Sequence, residues 1–207
     1  MNQPERQKPT PKPRFRRPRK PQSPKKGNYA FIDSQNLNLG VQKIGWKMDW
    51  KKFRKWLEEK YGVTHAYMFI GYMPENESLY ELMYSHGYLV VLKKTLEIKQ
   101  PDKPEDGKPA DKDKEEKPMV KGNIDADLVL FAMKELPNYD KAVIVSGDGD
   151  FLSLVEYLAQ EKKLLKLLTP NRRYSTLLEE FKEYIEGIDH HRHELAYHDR
   201  RFSRKAK

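Results

Sequence analysis

The chain has 207 residues, a formal net charge of +9 and no cysteine. That length suits one domain of about 150 residues with tails. The lack of cysteine excludes disulfides, thiolate nucleophiles and cysteine-ligated zinc. No stretch approaches the ~20 apolar residues of a membrane helix. The basic N-terminus has no apolar run behind it, as a secretory signal would, so a cytoplasmic protein is expected.

Residues 1–26 hold ten basic residues, one acid and seven of the 14 prolines. They carry the whole charge surplus, since the remaining residues are formally neutral. Such a segment cannot bury a core, and a disordered, polyproline-biased tail is expected. It reads either as an arm for nucleic-acid phosphates or as a solubilising extension, and the arm is favoured.

The folded part is expected from Gly27. Asn28 to Asp33 predicts a short buried strand, and Ser34 to Gly40 a turn or short helix capped by Ser34. Asp49 to Tyr61 predicts a helix whose Trp50, Phe53, Trp56 and Leu57 share one face, stopped by Gly62. Thr64 to Tyr72 is the second strand. Pro74 starts a helix with Leu79, Leu82 and Met83 turned inward, ended by Gly87. The third strand begins at Tyr88 and runs to Leu92 or Ile98. Residues 99–118 hold four prolines and no aromatic or branched apolar residue, which predicts a solvated insertion. After it, Asn123 caps a helix reaching about Leu136. Lys141 to Ser146 is a strand, Phe151 to Gln160 a helix, Leu164 to Thr169 a strand and Ser175 to Glu183 a helix. A last strand is placed over Tyr184 to Ile188. This alternation predicts an α/β fold with a parallel sheet of about five to six strands and helices on both faces. Residues 190–207, which include His190, His191 and His193, read as a second basic tail or a fraying helix in preference to a metal site.

Four aspartates fall at element edges. Asp33 ends the first strand. Asp125 opens a helix in Lys121-Gly-Asn-Ile-Asp125-Ala-Asp127. Asp148 and Asp150 follow a strand in Ser146-Gly-Asp148-Gly-Asp150. Carboxyl ends of strands in an open α/β sheet converge on one crevice. Carboxylates gathered there repel one another unless a cation neutralises them, and hard divalent ions prefer oxygen ligands. The bland readings are caps and turns, which explain single acids better than Gly-Asp-Gly-Asp. Asp125 and Asp127 point about 200° apart on a regular helix, so both cannot face one metal. Asp125 is taken as the cleft residue and Asp127 as the less certain one. Asn36 can hold the Asp33 carboxylate or contact substrate, and Lys121 can meet a phosphate. Arg172, Arg173 and Tyr174 read equally well as a nucleic-acid contact or as a surface loop.

Asn28-Tyr-Ala-Phe-Ile-Asp33-Ser-Gln-Asn36, Lys121-Gly-Asn-Ile-Asp125-Ala-Asp127-Leu and Ser146-Gly-Asp148-Gly-Asp150-Phe, in this order, resemble the NYN domain, a branch of the PIN-like nuclease superfamily. The resemblance covers about residues 28–189, omitting 99–118. It implies a Rossmann-like (PIN-like) sheet and an acidic Mg2+ or Mn2+ site acting on RNA, single-stranded or structured. It assigns Asp33, Asp125, Asp148 and Asp150 to catalysis and metal binding. Asn36, Ser146 and Lys121 are assigned to substrate, and Asp127 stands where an acid often occurs, as a possible further site residue. The leading expectation is a metal-dependent endoribonuclease, with a homodimer left open. The runner-up is a non-catalytic RNA-binding module of the same fold. A phosphatase of the haloacid dehalogenase type is disfavoured, because Gln35 stands where such enzymes usually place a second Asp.

Overall fold

The computed structural model describes residues 26–94, 96–97, 120–121 and 124–198. The expectations for most of the tail, the 99–118 insertion and the last nine residues lie outside the described residues. In chain order the strands are β1 (Asn28–Asp33), β2 (Val63–Tyr72), β3 (Leu89–Lys94), β4 (Leu96–Glu97), β5 (Val120–Lys121), β6 (Ala142–Val145), β7 (Leu164–Thr169) and β8 (Ile185–Gly187). The helices are α1 (Ser34–Gln42), α2 (Trp50–Tyr61), α3 (Glu77–Ser85), α4 (Ile124–Lys134), α5 (Leu152–Gln160) and α6 (Arg192–Leu195).

Six strands form one sheet in the order β3-β2-β1-β6-β7-β8, and every pairing in it is parallel. β4 and β5 make a separate antiparallel pair. β1 explains the two-faced core. Its side chains alternate across the sheet: Ala30 and Ile32 join a cluster with Leu37 of α1, Phe53 of α2 and Met83 of α3. Tyr29 and Phe31 join the opposite cluster, with Leu128 of α4 and Val155 of α5. Both faces are therefore covered, which is why the central strands are apolar throughout. Phe31 is completely buried, and truncating it to Ala should cost ~3–5 kcal/mol.

From β1 the chain builds outward through β2 and β3, then returns to the other side of β1 with β6 and continues to β8. The order reverses between β1 and β6. In an open α/β sheet the crevice opens at the carboxyl ends of the strands flanking that reversal. β1 ends at Asp33, and β6 ends just before Ser146.

Local chemistry sets the helix ends. The Asp49 side chain accepts from the Lys52 N–H at 3.1 Å, capping α2, and Gly62 closes that helix in the left-handed region at φ 63°. Several expected boundaries shift. Asp33, not Ser34, caps α1: its carboxylate accepts from the Asn36 N–H, while the Ser34 hydroxyl donates to the Phe69 carbonyl at 2.7 Å. Residues 74–76 form a 3-10 turn ahead of α3. Leu79 and Leu82 are 39% and 47% exposed, so they do not face inward. Tyr80 and Met83, three apart, are the buried pair, and the Tyr80 hydroxyl accepts from the Met73 N–H at 2.8 Å. α3 lies against the edge strand β3, so only part of its apolar surface has a neighbour. The helix expected over 175–183 is a 3-10 segment, Thr176–Phe181, with Leu178 its buried residue.

Candidate acidic crevice

Asp33 is the centre of the site. It is 7% exposed at the end of β1. Its Oδ1 accepts from the Asn36 N–H at 3.0 Å, and its Oδ2 accepts from the Ser146 Oγ–H at 3.1 Å. Ser146, 1% exposed, follows β6, and its Oγ in turn accepts from the Asp148 N–H at 3.1 Å. Asp148 Oδ1 accepts from the Asp150 N–H at 3.1 Å. The Asn36 side-chain carbonyl accepts from the Gly147 N–H at 2.9 Å. These bonds fasten the end of β1 to the end of β6 across the switch point. They hold both acidic segments in place before any ligand arrives.

Gly147 and Gly149 are small for a packing reason. Neither lies in the left-handed region. A Cβ on Gly149 would fall 2.4 Å from Ser175 Oγ and 3.0 Å from Leu177 Cδ1. A Cβ on Gly147 would fall 3.1 Å from Tyr174 Cβ. The segment after β7 therefore presses on the Gly-Asp-Gly-Asp turn, and the Ser175 N–H donates to the Gly147 carbonyl at 2.9 Å. Asn171 anchors that segment: its Nδ2 donates to the Gly40 carbonyl and its Oδ1 accepts from the Arg173 N–H, both at 2.8 Å. Tyr174 is half-buried against this turn, whereas Arg172 and Arg173 are exposed beside it.

The first turn of α4 supplies the remaining acids, and they divide. Burial raises the Asp125 pKa first, then the negative charges of Asp148 and Asp150 raise it further, while Lys93 opposes them. Asp127 Oδ2 instead pairs with Lys93 Nζ at 3.0 Å. The Asp33 pKa is raised, chiefly by burial. The Asn36 and Ser146 hydrogen bonds pull it down, and the charges of Asp125 and Asp148 push it up. The charges of Asp125 and Asp148 thus reach Asp33 although the three come from separate elements. Lys93, on β3, is the residue that sequence reasoning missed. Nothing in an apolar strand ending Lys-Lys marks its ammonium as the partner of an acid thirty-four positions later. Lys121 has its backbone in β5, and the expectation for its side chain falls outside the described residues.

Among the described residues, no group of three or more Asp, Glu, His or Cys is gathered so as to hold a metal ion. The crevice is not a closed all-protein cage. Its donor chemistry still fits one kind of ion. Mg2+ keeps several waters and is commonly held through one or two carboxylates together with substrate phosphate oxygens. Asp33 and Asp125, whose pKa values are raised by burial and then by neighbouring negative charge, are groups that such a cation would relieve.

The NYN domain family model matches residues 29–189. The chain belongs to that family. Its relatives include the low amplitude and bright protein LabA of Synechococcus elongatus, 26% identical over 132 residues. That match covers 62% of this chain and 65% of LabA, so this chain spans less than two thirds of its relative's length. The crystal structure of a protein of unknown function from Vibrio parahaemolyticus superposes with a TM-score of 0.58 at 23% identity, covering 85% of this chain and 99% of that one. At that identity the likeness shows the shared fold. NYN domains are typically nucleases, so membership implies a nuclease-type or RNA-related function. Among the described residues no helix is long and apolar enough to cross a membrane.

Proposed function

We propose that this NYN chain is a metal-dependent ribonuclease that hydrolyses RNA phosphodiester bonds in the acidic crevice between β1 and β6. One observation carries the reading. Asp33, Asp125 and Asp148 arrive from three elements at the switch point; beyond the effect of burial, the charges of Asp125 and Asp148 raise the proton affinity of Asp33, and those of Asp148 and Asp150 raise that of Asp125. A purely structural cluster would be expected to pair its acids with cations, as Asp127 pairs with Lys93.

A bound Mg2+ or Mn2+ would be held by Asp33, Asp125, Asp148 and Asp150, directly or through water. It would supply a more acidic water and charge stabilisation for an in-line displacement at phosphorus. The chain's own residues do the positioning. Ser146 and the Asn36 N–H fix the plane of the Asp33 carboxylate. The Asn36 side chain fixes the Gly147 backbone, and through it the approach of Asp148. Lys93, steadied by Asp127, places a cation near Asp125, where the RNA backbone would bring negative charge. The basic N-terminal segment adds sequence-independent attraction for phosphates.

A second reading is RNA binding without cleavage. It is favoured by the open spacing of the carboxylates. Incubation of the pure chain with end-labelled RNA, with Mg2+, with Mn2+ and with chelator, separates the two. Fragments that appear only with the metals, and vanish in Asp148→Asn, support hydrolysis. Binding with no fragments under any metal supports the second reading.

A further inference from the structure

Beside the acidic crevice lies a groove of about 450 Å3, and no ionisable side chain lines it. Its walls are apolar: Trp50, Met68, Ile70 and Met83, with Leu79 at the mouth. Its polar groups are neutral, and three of them are the primary amides Gln35, Asn38 and Asn76. The groove meets the acidic site from two sides. Ser34, in its lining, directly follows Asp33, and Ile124, also in its lining, directly precedes Asp125.

We infer that this groove receives one unpaired nucleobase of the RNA whose phosphate lies at the acidic crevice. The inference rests on the ribonuclease reading and adds a subsite to it. The volume falls in the range of small-molecule pockets. A flat, neutral, polarisable guest suits an indole wall and thioethers, since bases stack on aromatic and apolar side chains. Side-chain amides offer both donor and acceptor, which is what the edges of a base require. A phosphate or a charged peptide side chain would find no counter-charge here. The exposure of Leu79 is then explained: it borders the guest instead of the core. A base held in a duplex cannot enter such a groove without leaving its stack. The substrate so described is single-stranded RNA, or a loop, with a base next to the reacting phosphate inserted beside α3.

The test uses the full chain carrying Asp148→Asn, so that RNA is bound without turnover. A short single-stranded RNA is compared with versions in which one nucleotide at a time is abasic. At one or two positions the abasic change should weaken binding about tenfold or more. Leu79→Gln and Gln35→Ala should each weaken intact RNA but add little to the loss already caused by the abasic site, because both remove the same contact. RNA carrying 4-thiouridine at the sensitive position should photo-crosslink to groove residues such as Trp50 or Met83. Equal binding of all abasic RNAs, with both variants unaltered, overturns the base site. The ribonuclease reading would survive that result if the unsubstituted chain still cleaves with Mg2+ or Mn2+. Failure to bind either intact or abasic RNA overturns both. Undiminished binding of a blunt duplex of the same sequence also overturns the base site, because its bases are not free to enter.

Discussion

Ser146→Ala is the sharpest perturbation of the site. The substitution keeps the Cβ and removes one oxygen that is 1% exposed and makes two hydrogen bonds. One donates to Asp33, a buried carboxylate, and bonds to charged groups are worth ~1.5–3 kcal/mol. The other accepts from the Asp148 N–H, a neutral donor worth ~0.5–1.5 kcal/mol. The two share one atom and one loop, so their sum is an upper bound, and a loss of ~2–4 kcal/mol is expected. For a domain of this size that corresponds to a fall in Tm of roughly 4–16 °C. The loss has a pH signature. Burial raises the Asp33 pKa and the Ser146 bond opposes that rise, so the variant should carry a still higher Asp33 pKa. A carboxyl with a raised folded pKa takes up protons on folding, so it costs stability as pH climbs through that raised value. Well above it, Asp33 is ionised in both proteins and the missing hydroxyl is felt in full. Near the ordinary Asp pKa it is more protonated in the folded chain than in the unfolded one, and less of the penalty remains. Urea denaturation of both proteins at about pH 8 and about pH 4 therefore reads the difference directly. A loss of under about 0.5 kcal/mol at both pH values would refute the claim that Ser146 orients Asp33.

Asp148→Asn removes a charge with little change of shape and should lower RNA cleavage by orders of magnitude while the melting curve stays cooperative; unchanged turnover would remove Asp148 from the site. Asp125→Asn should weaken Mg2+ binding and raise metal-free stability above neutral pH, since it deletes a carboxylate that its neighbours repel, whereas Asp127→Asn should chiefly release Lys93; calorimetric titration with Mg2+ showing only Asp127→Asn affected would reverse the assignment. Mg2+ should raise the Tm of the unsubstituted chain more at about pH 8 than at about pH 5, because protons compete for carboxylates whose pKa values are raised; an equal shift would show that Asp33 and Asp125 are not the ligands. Deleting residues 1–26 removes ten cations, so RNA affinity should drop and its salt dependence flatten while the domain keeps its stability; equal slopes of log affinity against log salt would deny the arm any phosphate contact.

The parts of this molecule that sequence shows clearly are those governed by a period or a cap. β1 and β7 agree with the expected strands residue for residue, because runs such as Ala30-Phe31-Ile32 between polar ends allow one reading. α2 agrees to within one residue, because Asp49 and Gly62 bracket a clear apolar face. Leu79 and Leu82 of α3 are exposed where periodicity turns them inward, because periodicity reports that a helix has an apolar face but not what covers it. On an edge strand, part of that face is left to a groove. The strand expected from Tyr88 to Leu92 or Ile98 is β3, Leu89–Lys94, and the short β4 after it pairs with β5 outside the main sheet, which composition does not announce; Ile98 lies outside the described residues.

The acidic site shows the same boundary between local and non-local information. That Asp33, Asp125 and Asp148 sit at element edges is legible from order alone. What the acids are bonded to is not. Sequence offers Ser146 as a substrate contact and Asn36 either as a holder of the Asp33 carboxylate or as a substrate contact; in the folded chain Ser146 and the Asn36 N–H both hold that carboxylate, and the Asn36 side chain holds the Gly147 backbone. This shifts the chemistry they can perform. Groups already engaged in fixing a carboxylate and a turn act on substrate through geometry, by keeping charge where it is needed without rearrangement at the moment of reaction. On the proposed reading the direct contacts fall to the carboxylates, to Lys93 and to the neutral groove beside them. A site so divided, with charged chemistry on one side of Ser34 and uncharged recognition on the other, can bind the two unlike halves of a nucleotide at adjoining positions.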